Sequence, residues 1–265
     1  MKIICGDCLE IAKTLSKESV NLIVTSPPYA QQRKKQYGGI PEQNYPDWTV
    51  KWCDAFKPAL TNNGSIAIVI RPHIHQGQIS DYVLHTRLAL RENNWIEAEE
   101  LIWIKPNSPP LGNIQRPRRA WESILWFSKS NKPFCNPKAN GNVSNRIGLE
   151  SKKGVGDYKA GVSSAKKGIA RCRDYVEVGT GATDKSKYNH HPAQYPQELA
   201  SWIIKLLCPQ NGTVVDPFLG SGTTLLACND TKTNGIGIEL CQDYCEIAKK
   251  RLEINKVPFS TGGSI

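Results

Sequence analysis

Apolar residues along this chain fall into two alternating textures. Short aliphatic and β-branched runs occupy Ile3-Ile4-Cys5, residues 20–24, 65–70, 95–104, 121–127, 213–215 and 233–238, and their length and composition predict strands. Between them, apolar residues recur three and four positions apart, the spacing of a helix with one buried face. Residues 8–15 carry Leu9, Ile11, Ala12 and Leu15 in this way, with Asp7 placed to cap. A second helix starts near Pro46-Asp47, lines Trp48, Trp52, Ala55, Phe56 and Ala59 on one face, and is ended by Asn62-Asn63-Gly64. Further helices are predicted over 78–93, 197–208 (with Leu199, Trp202, Ile203, Leu206 and Leu207 inward), from Leu225 onward, and over 244–255. Strand and helix in alternation predict an α/β fold, a mostly parallel sheet covered on both faces.

The pattern fades over residues 129–190, where Gly, Ser, Asn and Lys dominate and thirteen Lys/Arg stand against five Asp/Glu. Sixty residues without structure would be unusual inside a compact domain. The stretch therefore reads as an inserted unit over 129–188, its surface beginning near 105 with Arg116, Arg118 and Arg119. It divides a larger domain made of 1–128 and 189–257, and residues 258–265 read as a flexible tail. Basic clusters at Lys166-Lys167 and Arg171-Cys172-Arg173, and Arg33-Lys34-Lys35 earlier in the chain, suit contacts with a phosphate backbone. The whole chain of 265 residues carries a formal charge of +10, which favours a polyanionic partner such as nucleic acid. No apolar stretch reaches the roughly 18 residues of a membrane span, so no membrane partner is expected. The start shows no secretory signal pattern, and nine scattered cysteines fit a reduced, cytoplasmic setting. No metal is expected, because neither Cys5/Cys8 and Cys241/Cys245 nor the pairs His73/His75 and His190/His191 have finger-like spacing around them.

Two stretches carry chemistry. The apolar run 20–24 stops at Thr25-Ser26-Pro27-Pro28-Tyr29. Two prolines fix φ and remove N–H donors, so the chain leaves the sheet as a stiff tongue with a hydroxyl, free carbonyls and an aromatic ring. Such a tongue suits a planar amine, whose N–H groups the oxygens accept while the ring stacks on its face. Far downstream, a predicted strand runs into Asp216-Pro217-Phe218-Leu219-Gly220-Ser221-Gly222-Thr223-Thr224 and then into a helix. A strand, a Gly-x-Gly turn and a helix let a nucleoside approach the backbone closely. No lysine follows Gly222, so this is not a P-loop, and Leu225 stands where a dinucleotide fingerprint needs its third glycine. A Rossmann-like nucleoside site without pyrophosphate remains, and Glu239 after the next strand is where such folds bind ribose hydroxyls.

Ser26-Pro27-Pro28-Tyr29 followed by Asp216-Pro217-Phe218-Leu219-Gly220-Ser221-Gly222 resembles the DNA amino-methyltransferases that use S-adenosylmethionine (SAM). The order of tongue, insertion and cofactor glycines is similar to their circularly permuted β group, and the likeness spans roughly residues 3–255. Serine at the first tongue position resembles the cytosine-N4 branch, as do the flank 32–38 and the segment 191–196; adenine-N6 members more often carry Asp there. The resemblance implies a Rossmann-like methyltransferase fold with a target-recognition insertion, SAM as cofactor and double-stranded DNA as partner. It implies a catalytic tongue of Ser26, Pro27, Pro28 and Tyr29. It places Asp216, Pro217, Phe218, Gly220, Ser221, Gly222, Thr223 and Thr224 around the cofactor, and Glu239 on its ribose. Asp7, beside Cys8, matches the acid that accepts from the adenine amine, although a plain helix cap is its other reading. His191 and Ala193 match the segment at the methionine end.

The reaction so implied is methylation of the N4 amine of a cytosine flipped out of the duplex, in a restriction-modification system or as a solitary methylase. A cognate endonuclease would be a separate protein. Methylation at cytosine C5 would need a Pro-Cys nucleophile in that family, and this chain has only the reverse, Cys208-Pro209. Adenine-N6 methylation at the same tongue is the alternative, followed by a nucleic-acid-binding module without catalysis. Methylation of a protein glutamine resembles an Asn-Pro-Pro-Tyr tongue and leaves the basic insertion without a purpose.

Overall fold

The computed structural model describes residues 1–31, 39–108, 115–149, 162–180 and 195–262, without the side chains of 75, 145–149 and 162–166. Its strands are β1 (Lys2–Cys5), β2 (Val20–Thr25), β3 (Leu60–Ile70), β4 (Ile74–His75), β5 (Gln78–Ile79), β6 (Ile96–Ile104), β7 (Trp121–Ser128), β8 (Val143–Leu149), β9 (Val162–Ile169), β10 (Tyr175–Glu177), β11 (Thr213–Asp216), β12 (Asn234–Glu239) and β13 (Ser260–Thr261). The α-helices are α1 (Cys8–Ala12), α2 (Tyr45–Phe56), α3 (Tyr82–Glu92), α4 (Gln197–Leu207), α5 (Thr223–Thr231) and α6 (Gln242–Ile254).

Among the described residues nine strands form the main sheet, in the order β10-β6-β7-β3-β2-β11-β12-β1-β13. All pair in parallel except β7, which runs antiparallel to both β3 and β6. Consecutive residues of β2 point to opposite faces and both are buried. Ile23 joins Tyr45, Trp52, Phe56 and Tyr82 of α2 and α3, whereas Leu22 and Val24 join Leu199, Ile203 and Leu207 of α4. Burial on both sides is why the strand reads as a continuous apolar run rather than an alternating one. A smaller cluster of Ile3, Leu219, Leu225, Ala248 and Leu252 seats α6.

The parallel arrangement brings the ends of β1, β2, β3, β6, β11 and β12 to one edge of the sheet. Because β7 is reversed, its first residues arrive there too: Ser123 pairs with Ile70 and Trp121 with Ile104. Residues at strand ends on this edge are free of the ladder and supply the site.

Some expected boundaries differ. Residues 60–64 extend β3 instead of ending a helix, since α2 already stops at Phe56. Gln78 and Ile79 pair with Ile74 and His75 in a small hairpin, and α3 begins only at Tyr82. Ser260 and Thr261 of the expected flexible tail pair with Lys2 and Ile3, which satisfies the outer edge of β1. Within the expected insertion, β8 and β9 form a separate antiparallel pair, but β10 joins the main sheet beside β6. All nine cysteines are free thiols.

Candidate active site

Between the sheet edge and α2 lies a cavity of about 150 Å³ lined by Gly6, Asp7, Cys8, Leu9, Pro28, Ile40, Trp48, Trp52, Pro217, Phe218, Glu239 and Leu240. Three rings build its wall: Phe218 lies 5.3 Å from Trp48 and 5.5 Å from Trp52, centroid to centroid. The indole N–H of Trp52 is buried and has no hydrogen-bond partner among the described residues. Glu239 is buried and also lines the cavity; its Oε2 accepts from the Gly220 amide at 2.8 Å and its Oε1 from the Cys241 amide at 2.9 Å. Asp7 caps α1 by accepting from the Leu9 amide at 2.7 Å, so its capping role is real, and the residue also lines the cavity. Burial beside Asp7 pushes the Cys8 thiol up to about 12, which keeps it neutral.

The glycine turn follows β11. Gly220 and Gly222 have φ of 54° and 90°, the left-handed region that a side chain would strain. Asp216 at the end of β11 is fully enclosed. Its Oδ1 accepts from Thr25 Oγ1 at 2.8 Å and from the Phe218 amide at 3.1 Å, and its Oδ2 accepts from Thr224 Oγ1, which Tyr195 in turn contacts. Burial raises its pKa to about 6, with Glu239 adding to the rise and these hydrogen bonds opposing it. Thr25 immediately precedes Ser26, so this carboxylate ties the glycine turn to the tongue across adjacent strands. Thr223 and Ser221 are also buried and receive hydrogen bonds from Arg251. Of the residues expected around a cofactor, Asp7, Cys8, Pro217, Phe218 and Glu239 therefore line the cavity. Asp216, Ser221, Thr223 and Thr224 stand behind it with their polar atoms engaged. His191 and Ala193 lie outside the described residues.

The tongue leaves β2 above the same cavity, with Pro28 in its wall. Tyr29 turns its hydroxyl away from solvent and donates to Glu122 Oε2 at 2.6 Å. Burial, then the Glu122 charge, holds that phenol well above its usual range. The other carboxylate oxygen of Glu122 accepts from Lys105, and Arg71 lies 3.8 Å from it. Burial lowers the Lys105 pKa against the raising effect of Glu122. Trp48, Trp52, Lys105, Arg71 and Glu122 were not among the site residues expected from sequence. The two tryptophans, four apart on an apolar helix face, read as ordinary core, and nothing local links Glu122 to a tyrosine 93 positions earlier.

Of the basic residues, Arg116 and Arg119 donate to the carbonyls of Gly77 and Pro72 and so fasten the 72–80 segment beside the tongue. Arg118, Lys167, Arg171 and Arg173 are exposed. Arg173 also lies over the Tyr175 ring, 5.4 Å from its centroid. Arg33, Lys34 and Lys35 fall outside the described residues, as does the side chain of Lys166. Among the described residues no helix is long and apolar enough to cross a membrane.

Comparison with known proteins agrees with this arrangement. The type II methyltransferase M.PvuII of Proteus hauseri is 25% identical over 284 residues, covering 95% of this chain and 83% of that protein. The solved PvuII DNA methyltransferase, described as cytosine-N4-specific, shares the fold at a TM-score of 0.75 and 22% identity, over 96% of this chain and 90% of that one. A complex of M1.HpyAVI with SAM matches at a TM-score of 0.61 and 25% identity, over 95% of this chain and 99% of that one. The sequence model of the N6/N4 "DNA methylase" family matches residues 20–250, which include both the tongue and the glycine turn. The chain belongs to this family of DNA methylases, SAM-dependent enzymes that methylate amino groups of DNA bases.

Proposed function

We propose that this protein methylates the exocyclic N4 amine of a cytosine flipped out of double-stranded DNA. The observation that carries the reading is Ser26-Pro27-Pro28-Tyr29 at the mouth of an aromatic cavity, with a neutral hydroxyl where adenine-N6 relatives more often carry a carboxylate. The cytosine-N4 specificity in the description of the PvuII enzyme supports the same choice.

The cavity suits SAM chemically. Among the described residues its lining has three aromatic rings and two carboxylates and no lysine or arginine, which fits a cationic nucleoside without phosphates. Phe218, Trp48 and Trp52 would hold the adenine, with the partnerless Trp52 N–H available to a ring nitrogen. Asp7 would accept from the adenine amine and Glu239 from the ribose hydroxyls. SAM, when bound, would supply a methyl group on a sulfonium; an amine lone pair bonding to that methyl would displace a neutral thioether, and the methylated nitrogen would give up one N–H proton to solvent.

The chain's own groups prepare that amine. A cytosine amine is a weak nucleophile because its lone pair is delocalised into the ring. Ser26 Oγ and the Pro27 carbonyl accept its two N–H bonds, which favours a tetrahedral nitrogen and a localised lone pair. Tyr29 stacks on the base and holds its plane, so alignment supplies much of the rate. In this reading residues 129–188 are the target-recognition unit, with Lys166, Lys167, Arg171 and Arg173 on the phosphate backbone together with Arg33, Lys34, Lys35, Arg116, Arg118 and Arg119. A restriction endonuclease, where one accompanies the protein, acts as a separate chain.

Nucleoside mass spectrometry of unmethylated, mixed-sequence DNA after incubation with the protein and SAM tests the reading. N4-methylcytosine is expected. N6-methyladenine would keep the cofactor and tongue and overturn the choice of base.

A further inference from the structure

The Tyr29–Glu122–Lys105 network plays no part in the chemistry so far. Its members come from separate elements: Tyr29 from the tongue after β2, Arg71 from the end of β3, Lys105 from the end of β6, and Glu122 from the start of β7. Lys105 and Glu122 are only 8% and 6% exposed. A buried ion pair contributes little to stability, because desolvation offsets the attraction between the charges. Its stabilising effect therefore does not explain why one is kept at the functional edge of the sheet.

Its geometry does. A ring that serves as a stacking surface must leave one face empty until the base arrives, so packing alone restrains it from one side only. Tyr29 is partly buried and packs against the core cluster that includes Tyr45, Trp52 and Phe56 of α2. Anchoring the hydroxyl removes the remaining freedom without covering the open face. The anchor itself is rigid: the Lys105 ammonium that holds Glu122 also lies 4.2 Å from the centroid of the Trp103 ring. The Lys105 amide in turn bonds the Ala120 carbonyl at 2.7 Å, two residues before Glu122.

We propose that Glu122, held by Lys105, is a positioning residue that fixes the ring plane of Tyr29 for the incoming target base. The proposal rests on the stacking role given to Tyr29 above. It makes Glu122 act through the tyrosine hydroxyl and not on the base.

Four variants test it: Glu122→Ala, Glu122→Gln, Tyr29→Phe, and the double variant of Tyr29→Phe with Glu122→Ala. Three quantities are read: single-turnover methyl transfer from labelled SAM to unmethylated mixed-sequence DNA, SAM affinity by calorimetry, and ring-carbon NMR signals of labelled tyrosine. The Tyr29 signal is assigned by its loss in Tyr29→Phe. Glu122→Ala is expected to slow transfer at least tenfold, leave SAM affinity within twofold, and shift and broaden the Tyr29 signal. Tyr29→Phe, which leaves the ion pair whole, should slow transfer by a similar factor, and the double variant should be no slower than the slower single one. Glu122→Gln retains an acceptor for the hydroxyl and should fall between wild type and Glu122→Ala. Full activity in Glu122→Ala, an unmoved Tyr29 signal, or losses that multiply in the double variant would overturn the proposal. If wild-type protein transfers no methyl group while the Tyr29 signal still responds to Glu122→Ala, the anchor stands and the proposed reaction falls.

Discussion

Asp216 and Glu239 are both buried carboxylates at strand ends, yet they are placed for different work. Glu239 lines the cavity, whereas Asp216 is enclosed by Thr25, Thr224 and the Phe218 amide. Its pKa is raised from 3.8 to about 6, so the folded state binds this proton more tightly than the unfolded chain. The resulting stabilisation is fully present below the unfolded value and is lost as pH rises through about 6. At one pKa unit per ~1.4 kcal/mol, the ionised group costs about 3 kcal/mol at neutral pH. Asp216→Asn removes this titration. The melting temperature of wild type relative to Asp216→Asn should therefore rise on going from pH 7 to pH 4.5, and a difference that stays flat would show that Asp216 does not titrate there. Pro28 and Phe218, which belong to local motifs, were expected at a site and line the cavity. Thr223 and Thr224 open the helix after the glycine turn, but that Thr224 gives its hydroxyl to Asp216 while Thr223 accepts from Arg251 depends on a helix orientation that no local pattern encodes.

At the scale of elements, the glycine turn owes its position to the strand beside it. The Leu219 amide bonds the Ile238 carbonyl at 2.9 Å, and the Leu219 side chain fills the space over Gly237. A Cβ at Gly237 would lie 2.5 Å from Leu219 Cδ2 and 2.9 Å from its Cγ, so the whole side chain would have to move. Gly237→Ala is expected to cost about 2 kcal/mol by overpacking. Because Leu219 sits inside the turn, calorimetry should also show weaker SAM binding; unchanged affinity would separate the turn from this contact. The strands and helices themselves followed their periodicity closely. The errors came where tertiary pairing overrode it: Asn62-Asn63-Gly64 looks like a helix stop but continues β3, because Leu60 has Val20 as a ladder partner. Residues 78 and 79 look like a helix start but close a hairpin onto Ile74 and His75.

For the whole molecule, the charge of +10 is the feature sequence reading used most directly. Lys167, Arg171 and Arg173 are exposed on the expected insertion, Arg173 while lying over the Tyr175 ring. Replacing all three with Gln should weaken DNA binding and lower the slope of log affinity against log salt by about 0.9 for each phosphate that is no longer neutralised. An unaltered slope would remove these residues from the DNA interface. The path of residues 129–190 was the least legible part, because short strands such as β10 are specified by the sheet they join. The order of strands has one further consequence. Central β2 finds one neighbour, β3, within the next few dozen residues, but its other neighbour, β11, and both partners of β1 come from the last quarter of the chain. Pairing Leu22 with Val214 closes a very long loop, the kind of contact that slows folding. During synthesis the apolar edge of β2 thus stays open until β11 has left the ribosome. The cofactor cavity, which needs β1, β2, β11 and β12 together, forms only once β12 has emerged as well. A nascent chain stalled before residue 213 would expose an unpaired aliphatic strand, which makes translation and chaperone supply, more than the finished fold, the point at which this protein is most prone to aggregate.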